Sequence, residues 1–378
     1  MQPDISPGSY PTPRPNIESI QQYKPGKPVE QVARELALRG QIDKLASNEN
    51  PLGPSPKALN ALRRELGSLN FYPDDTCWLL RDKLAKKHRV DIEAVIVGNG
   101  SVELIMMACL AYLRPEDELA MSSGSFIMAK VGAMIMDCRL REIPTKEYRH
   151  DLARMRENIT ERTKIVYLDN PMNPIGTMVT RRELDAFIDG MPPHVLVIID
   201  EAYADYMTTK QYPRSLDYYN ANRNVLILRT FSKIYGLAGL RVGYGIARPE
   251  IVATIGKVHT PFNVSRAAQL AAMAAMDDKT HAERSRKLVE AGRKYLHAEL
   301  EALQVFHIPG FTNFVLVNFA VDSQVVFEGL QRRGIITRPV KNYGYPNALR
   351  VTIGTAQQNK RFVKALAAVL KEIQSAPA

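Results

Sequence analysis

Residues 224–245 read NVLILRTFSKIYGLAGLRVGYG. An apolar run, Val225 to Leu228, leads into Thr230, Ser232 and Lys233, and eight positions past the lysine Arg241 stands among small residues. Eight positions are too few to put the two cations on separate elements. Both therefore face one small anionic object, and the small residues between them let the backbone pass close beneath it. In parallel α/β sheets ligands sit at the carboxyl ends of strands, which is where this turn falls.

The same pattern recurs outward from this stretch. The runs AVIVGNG (94–100), KIVYLDNP (164–171), VLVIIDEAY (195–203) and RVGYGIA (241–247) alternate with helical patterns at 102–113, 126–136 and 182–190. Continuous apolar strands between helices predict an α/β fold whose mainly parallel sheet is covered on both faces. After residue 265 the order changes to a long helix near 280–305, NFVLVNF (313–319), a helix near 324–334, IITRPV (335–340), LRVTIG (349–354) and a closing helix. That order predicts a smaller α+β domain. The first thirty residues are rich in proline and glycine and read as an arm lying against something else. The expected organisation is an arm over 1–44 that contributes to the small domain, a large domain over 45–264 and a small domain over 265–378.

With 50 Lys+Arg against 40 Asp+Glu the chain carries a net charge of +10, but the basic residues are dispersed among acids, as in HAERSRKLVEAGRKYLHAELEAL (281–303). Such a stretch reads as a solvated helix face, and no nucleic-acid motif accompanies it. Cys77, Cys109 and Cys138 show neither a pairing pattern nor metal spacing, which suits a reducing compartment. No apolar run reaches the roughly eighteen residues needed to cross a bilayer, and the start lacks the apolar core of a signal peptide. A cytoplasmic protein with neither membrane nor nucleic-acid partners is expected.

The strand ends hold the chemistry. GNGS (98–101) is either a simple turn or an anion cradle at a helix amino terminus. NPMNPIG (170–176) is a rigid turn in which Asn173 can also donate into a strand-end crevice. Asp200 follows five apolar residues, and a carboxylate there is costly to bury unpaired; Tyr203 lies close beyond it. A metal is disfavoured because the cluster has no histidine and lacks multiple carboxylates. A lone lysine, a buried acid, an amide, a phenol and a cationic glycine-rich corner match the needs of pyridoxal phosphate. That cofactor requires an amine to hold its aldehyde, a carboxylate for its ring nitrogen, donors to its phenolic oxygen, and cations and N–H groups around its phosphate.

The stretches IQQYKPGKPVE, KLASNENPLGPSPKAL, YPD, GNGSVELI, NPMNPIGT, IIDEAYADY, TFSKIYGLAGLRVGY and GIITRPVKNYGYPNALRVTIGT, in this order, resemble the fold-type I pyridoxal-phosphate aminotransferases, and among them the histidinol-phosphate aminotransferases. The resemblance implies a large cofactor-binding domain, a smaller α+β domain and a twofold homodimer. It implies that Lys233 holds the cofactor and moves the proton, that Asp200 pairs with the ring nitrogen, and that Asn173 and Tyr203 bond the phenolic oxygen. Gly100, Ser101, Thr230, Ser232 and Arg241 would hold the phosphate, Phe126 would stack on the ring, and Tyr72 would reach the neighbouring subunit's cofactor. Arg350 would grip the substrate carboxylate, with Arg338 and Tyr23 facing the substrate phosphate.

The implied reaction transfers an amino group between histidinol phosphate and 2-oxoglutarate, giving imidazole-acetol phosphate and glutamate. The alternatives are an aromatic amino-acid aminotransferase, a pyridoxal-phosphate decarboxylase of a phosphorylated amino acid, and a non-catalytic regulatory protein that binds the cofactor. Departures from the family pattern, Met172 and Ile175 in NPMNPIG and Ala129 where a tyrosine is frequent, are expected to alter the pocket wall and bear on the substrate.

Overall fold

The computed structural model describes residues 11–22 and 26–375. In chain order its strands are β1 Asp43–Lys44, β2 Val95–Gly98, β3 Glu118–Ser122, β4 Arg139–Ile143, β5 Thr163–Asp169, β6 Leu196–Asp200, β7 Val225–Thr230, β8 Gly243–Ala247, β9 His307–Ile308, β10 Phe314–Asn318, β11 Ile335–Ile336, β12 Arg338–Val340 and β13 Tyr345–Thr352. Seven of them form the main sheet in the order β2-β8-β7-β6-β5-β3-β4. The step from β7 through β6, β5 and β3 to β4 is parallel throughout, and β8 runs antiparallel to both its neighbours. The sheet is therefore mainly parallel, as expected.

Both faces of this sheet are dry, which is why its strands read as unbroken apolar runs instead of alternating ones. Ile165, Tyr167, Leu196, Ile198, Leu226 and Leu228 pack into one core, joined by Leu104, Ile105 and Met107 of the helix Ser101–Tyr112. Val166, Leu168, Val197, Ile199, Val225 and Ile227 face the other, joined by Leu184, Phe187 and Ile188 of the helix Arg181–Asp189. Each fully buried side chain of this size contributes roughly 1.5–3 kcal/mol. The second helix starts on a complete capping box, in which Thr180 and Glu183 satisfy each other's backbone N–H.

The remaining strands form an antiparallel sheet, β12-β13-β10-β9, and a short parallel pair, β1 with β11. Past β1 the chain stays bound to β11 and to the second sheet: Leu45 N–H donates to Ile336 O at 2.7 Å, and Thr352 N–H, on β13, to Leu45 O at 2.9 Å. Residues 46–50 are thereby carried to the carboxyl ends of the main strands. The arm does lean on another element, with Asn16 Nδ2 donating to Met134 O at 2.8 Å. Its described residues also contain two short helices, Pro15–Glu18 and Val29–Glu35, the first where no regular element is expected from the sequence.

One expectation fails. Met172 and Ile175 are fully buried in a cluster with Ile308, Leu316, Val340 and Ala348 of the second sheet, and Ala129 is fully buried in the main core. None of the three lines the strand-end cavity. Met172 and Ile175 dry the joint between the NPMNPIG turn and the second sheet, and Ala129 fills the main core; none of the three adds to the cavity lining.

No described helix is long and apolar enough to cross a membrane.

Candidate active site

A cavity of about 260 Å³ opens at the carboxyl ends of β5, β6 and β7. Ser101, Phe126, Asn173, Asp200, Tyr203, Thr230, Ser232, Lys233 and Arg241 all line it. Residues that are up to 140 positions apart in the chain (241 − 101) thus converge on one space, because parallel strands deliver their ends to the same edge.

Lys233 is aimed inward by a tight turn. Phe231 is buried beneath the turn, Gly236 N–H donates to Lys233 O at 3.0 Å, and Leu237 N–H donates to Phe231 O at 3.0 Å. Its Nζ donates to Ser47 O at 3.3 Å and stands 5.7 Å from the centre of the Tyr203 ring. Burial, then the charges of Arg350 and Arg241, push the amine down to about 8, although Glu49 and Asp200 pull the other way. A lysine so placed is substantially neutral in mild base, the state in which an amine is a nucleophile or base.

Asp200 ends β6, buried. Tyr167 Oη donates to its Oδ2 at 2.9 Å and Ala202 N–H to its Oδ1 at 3.0 Å. The partner a buried acid requires is thus Tyr167, not the nearby Tyr203. Tyr203 instead accepts from Asn48 Nδ2 at 2.9 Å. Burial, and next the charge of Asp169, hold the Asp200 carboxyl above the ordinary range. Among the described residues Asp200 has no ion pair, so a cationic N–H brought into the cavity would find it waiting.

The opposite corner is an anion cradle. Gly100, at φ +79° and ψ 161°, precedes the helix that starts at Ser101, and a Cβ there would lie 2.5 Å from Arg241 Nη2. Gly243 presses equally close, its absent Cβ 2.4 Å from Ser101 N. Arg241 itself has φ +53° and its Nη1 donates to Ala238 O at 3.1 Å. Thr230 Oγ1 accepts from Ser232 N–H at 3.1 Å.

Arg350, on β13, and Arg338, on β12, are not among the residues lining the cavity; Arg350 lies behind Asn173, which is. Its Nη1 donates to Asn173 Oδ1 at 2.6 Å and its Nη2 to Ala46 O at 2.7 Å, while its Nε is buried without a partner. Arg338 on β12 is its direct cross-strand neighbour, half-buried beside Gly26. Tyr72 is elsewhere: 77 % exposed and stacked on Phe262 with ring centres 4.6 Å apart. Tyr23 lies outside the described residues. Sequence reasoning missed Ser47, Glu49 and Asp169, which also line the cavity, and Asn48 and Tyr167, which hold Tyr203 and Asp200. Asp169 ends an apolar run just as Asp200 does, so the same argument would have found it.

A sequence profile of the aminotransferase class I and II family matches residues 41–366. The chain belongs to that family. The histidinol-phosphate aminotransferase of Moorella thermoacetica is 47% identical over 358 residues, covering 94% of this chain and 92% of its own length. Histidinol-phosphate aminotransferase 2 of Pseudomonas fluorescens is 43% identical, covering 94% and 97%. The crystal structure of the Sinorhizobium meliloti histidinol-phosphate aminotransferase in complex with pyridoxal-5'-phosphate superposes with a TM-score of 0.89 at 24% identity, over 97% of this chain and 99% of that one, which shows the shared fold. Within the family the chain groups with the histidinol-phosphate aminotransferases, and it is an aminotransferase dependent on pyridoxal 5'-phosphate.

The residues present fit that cofactor. An amine poised near pH 8, a buried acid with no ion pair among the described residues, and a glycine cradle facing a guanidinium lie around one cavity.

Proposed function

We propose that the protein transfers an amino group between histidinol phosphate and 2-oxoglutarate, giving imidazole-acetol phosphate and glutamate. The observation that carries this reading is the pairing of Arg338 with Arg350 across β12 and β13. Like charges directly opposite one another are unfavourable, and a substrate anion reaching this corner would relieve the repulsion. Glutamate brings two carboxylates and histidinol phosphate one phosphate dianion, so two arginines at facing register positions suit either, whereas an aromatic amino acid brings a single carboxylate. Met172 and Ala129, the replacements that would favour an aromatic donor by making the pocket more apolar, are buried outside the cavity lining.

Pyridoxal phosphate, when bound, supplies an aldehyde that takes up the amino group and a ring that withdraws electrons. The chain does the rest. Arg241, Ser101, Thr230 and Ser232, with Gly100 leaving room for the guanidinium, hold the phosphate. Phe126 covers the ring, Asp200 keeps a proton on the ring nitrogen, and Asn173 and Tyr203 bond the phenolic oxygen. Lys233 Nζ takes the proton from the substrate's α-carbon. Arg350 bonds the substrate carboxylate through a fork that lysine lacks.

The active unit is a homodimer in the cytoplasm. An exposed apolar surface of Leu69, Phe71, Tyr72, Trp78 and Phe262 supports the dimer, with Tyr72 reaching the neighbour's cofactor. The cofactor-holding unit spans 45–264, and the smaller unit combines 265–378 with the arm over 1–44.

Incubation with histidinol phosphate and 2-oxoglutarate, with glutamate and carbon dioxide quantified, tests the reaction. Stoichiometric glutamate without carbon dioxide is expected; faster turnover of phenylalanine, or carbon dioxide release from a phosphorylated amino acid, would sink it.

A further inference from the structure

Asp200 is not the only acid at these strand ends. Asp169 is its register partner on the adjacent strand β5, on the same face of the sheet, and it lines the same cavity. It is 3 % exposed. Its Oδ2 receives two backbone N–H groups, from Asn173 at 2.8 Å and from Phe126 at 3.2 Å. These belong to separate segments: Asn173 sits in the turn after β5, Phe126 in the loop after β3. One carboxylate oxygen joins the two.

The support beneath it is a buried histidine. His150 Nε2 stands 2.9 Å from Asp169 O and 3.6 Å from its Oδ1, and Nδ1 stands 2.7 Å from Ser122 Oγ. Burial pushes this imidazole down to about 4, so it is a neutral prop and not a counter-ion. Among the described residues Oδ1 has no well-formed hydrogen bond, though the Ser125 hydroxyl is close enough to favour the ionised carboxylate. An acid buried beside a neutral ring is a costly choice for mere filling. Burial raises this carboxyl to about 6, which leaves it ionised above that pH, and an ionised oxygen makes strong bonds to the two amides converging on it.

We propose that Asp169 is a positioning residue of the cofactor site: its carboxylate ties the backbone of Phe126 to that of Asn173 and so sets the width of the slot that receives the cofactor ring, with His150 holding the carboxylate in place. This rests on the pyridoxal-phosphate reading of the cavity. Asp169 touches neither substrate nor reacting atoms in this role; it acts through Phe126 and Asn173.

The test uses the full chain stripped of cofactor and titrated with pyridoxal phosphate, with binding followed by absorbance and by the visible circular dichroism that a fixed ring acquires. Asp169→Leu keeps the branched four-atom skeleton, at a larger volume, and removes both acceptors; Asp169→Asn keeps one acceptor oxygen for the amides. Asp169→Leu is expected to weaken binding by about tenfold or more and to diminish the dichroism, while Asp169→Asn stays within about threefold of wild type. In a Phe126→Ala background, where the wall is already gone, the loss from Asp169→Leu shrinks, the signature of coupled residues. Wild-type affinity in Asp169→Leu, an equal loss in Asp169→Asn, or an undiminished loss in the Phe126→Ala background would each overturn the proposal. If Asp169→Leu does not fold, Asp169→Ala carries the same comparisons. Failure of the wild-type chain itself to take up pyridoxal phosphate overturns the cofactor reading instead.

Discussion

Replacing Gly100 by alanine puts a number on the anion corner. Two separate costs follow from one methyl group. The backbone there, φ +79° and ψ 161°, is a region essentially reserved for glycine, and holding another residue in it costs roughly 1–3 kcal/mol. The new Cβ would also come 2.5 Å from Arg241 Nη2. Since that atom is the far end of a flexible side chain, the guanidinium gives way and the helix start stays where it is. The first cost falls on the stability of the cofactor-free protein, the second on phosphate binding. A displaced charged hydrogen bond is worth roughly 1.5–3 kcal/mol, which is about a tenfold to hundredfold loss of cofactor affinity. Urea unfolding of the cofactor-free chain and titration with pyridoxal phosphate measure the two separately. Gly239→Ala is the control, since a Cβ at Gly239 meets nothing within 4 Å. A Gly100→Ala protein that binds the cofactor as tightly as wild type would refute the assignment of Arg241 and this turn to the phosphate.

Other consequences follow from the same geometry. The Lys233 amine sits at about 8 in the folded protein against 10.5 when free, so between those pH values the unfolded chain binds the extra proton and stability rises with pH, the penalty being complete below 8. Cofactor-free Lys233→Met is therefore more stable than wild type at pH 7, by up to about 3 kcal/mol, and the gap closes toward pH 10 in urea titrations. Met172→Asn buries an amide among apolar side chains and costs about 3–5 kcal/mol of stability, while the ratio of kcat/KM values for histidinol phosphate and phenylalanine stays unchanged. Arg350→Lys cannot bridge Asn173 Oδ1 and Ala46 O at once; its KM for glutamate rises by roughly tenfold to a hundredfold, with a smaller change in kcat, in steady-state assays.

The main sheet was legible because β5, β6 and β7 are buried on both faces and so consist of continuous β-branched runs. β3 and β4, ELAMS and RLREI, lack that signature; β4 lies at the sheet edge, partly exposed, and needs no such run. Lys233, Asp200 and Arg241 were legible because a charge at the end of a buried strand demands a partner. Tyr167 was not, since an aromatic inside an apolar run looks like any core residue until its hydroxyl is seen 2.9 Å from Asp200. The partnership of Arg338 with Arg350 depends on antiparallel register between strands separated by a turn, and the burial of Met172 and Ile175 depends on a second sheet closing over them. Both are tertiary facts, and local pattern carries no trace of them.

The most direct test of the central claim is a single turnover. The cofactor-loaded protein is mixed separately with histidinol phosphate, glutamate, phenylalanine and tyrosine, and the loss of the pyridoxal absorption and gain of the pyridoxamine absorption are followed by stopped flow. Rapid conversion by histidinol phosphate and glutamate, with slow conversion by the two aromatic amino acids, is the predicted result. Faster conversion by phenylalanine or tyrosine would contradict the substrate assignment, and no spectral change with any donor would contradict the transfer reaction itself.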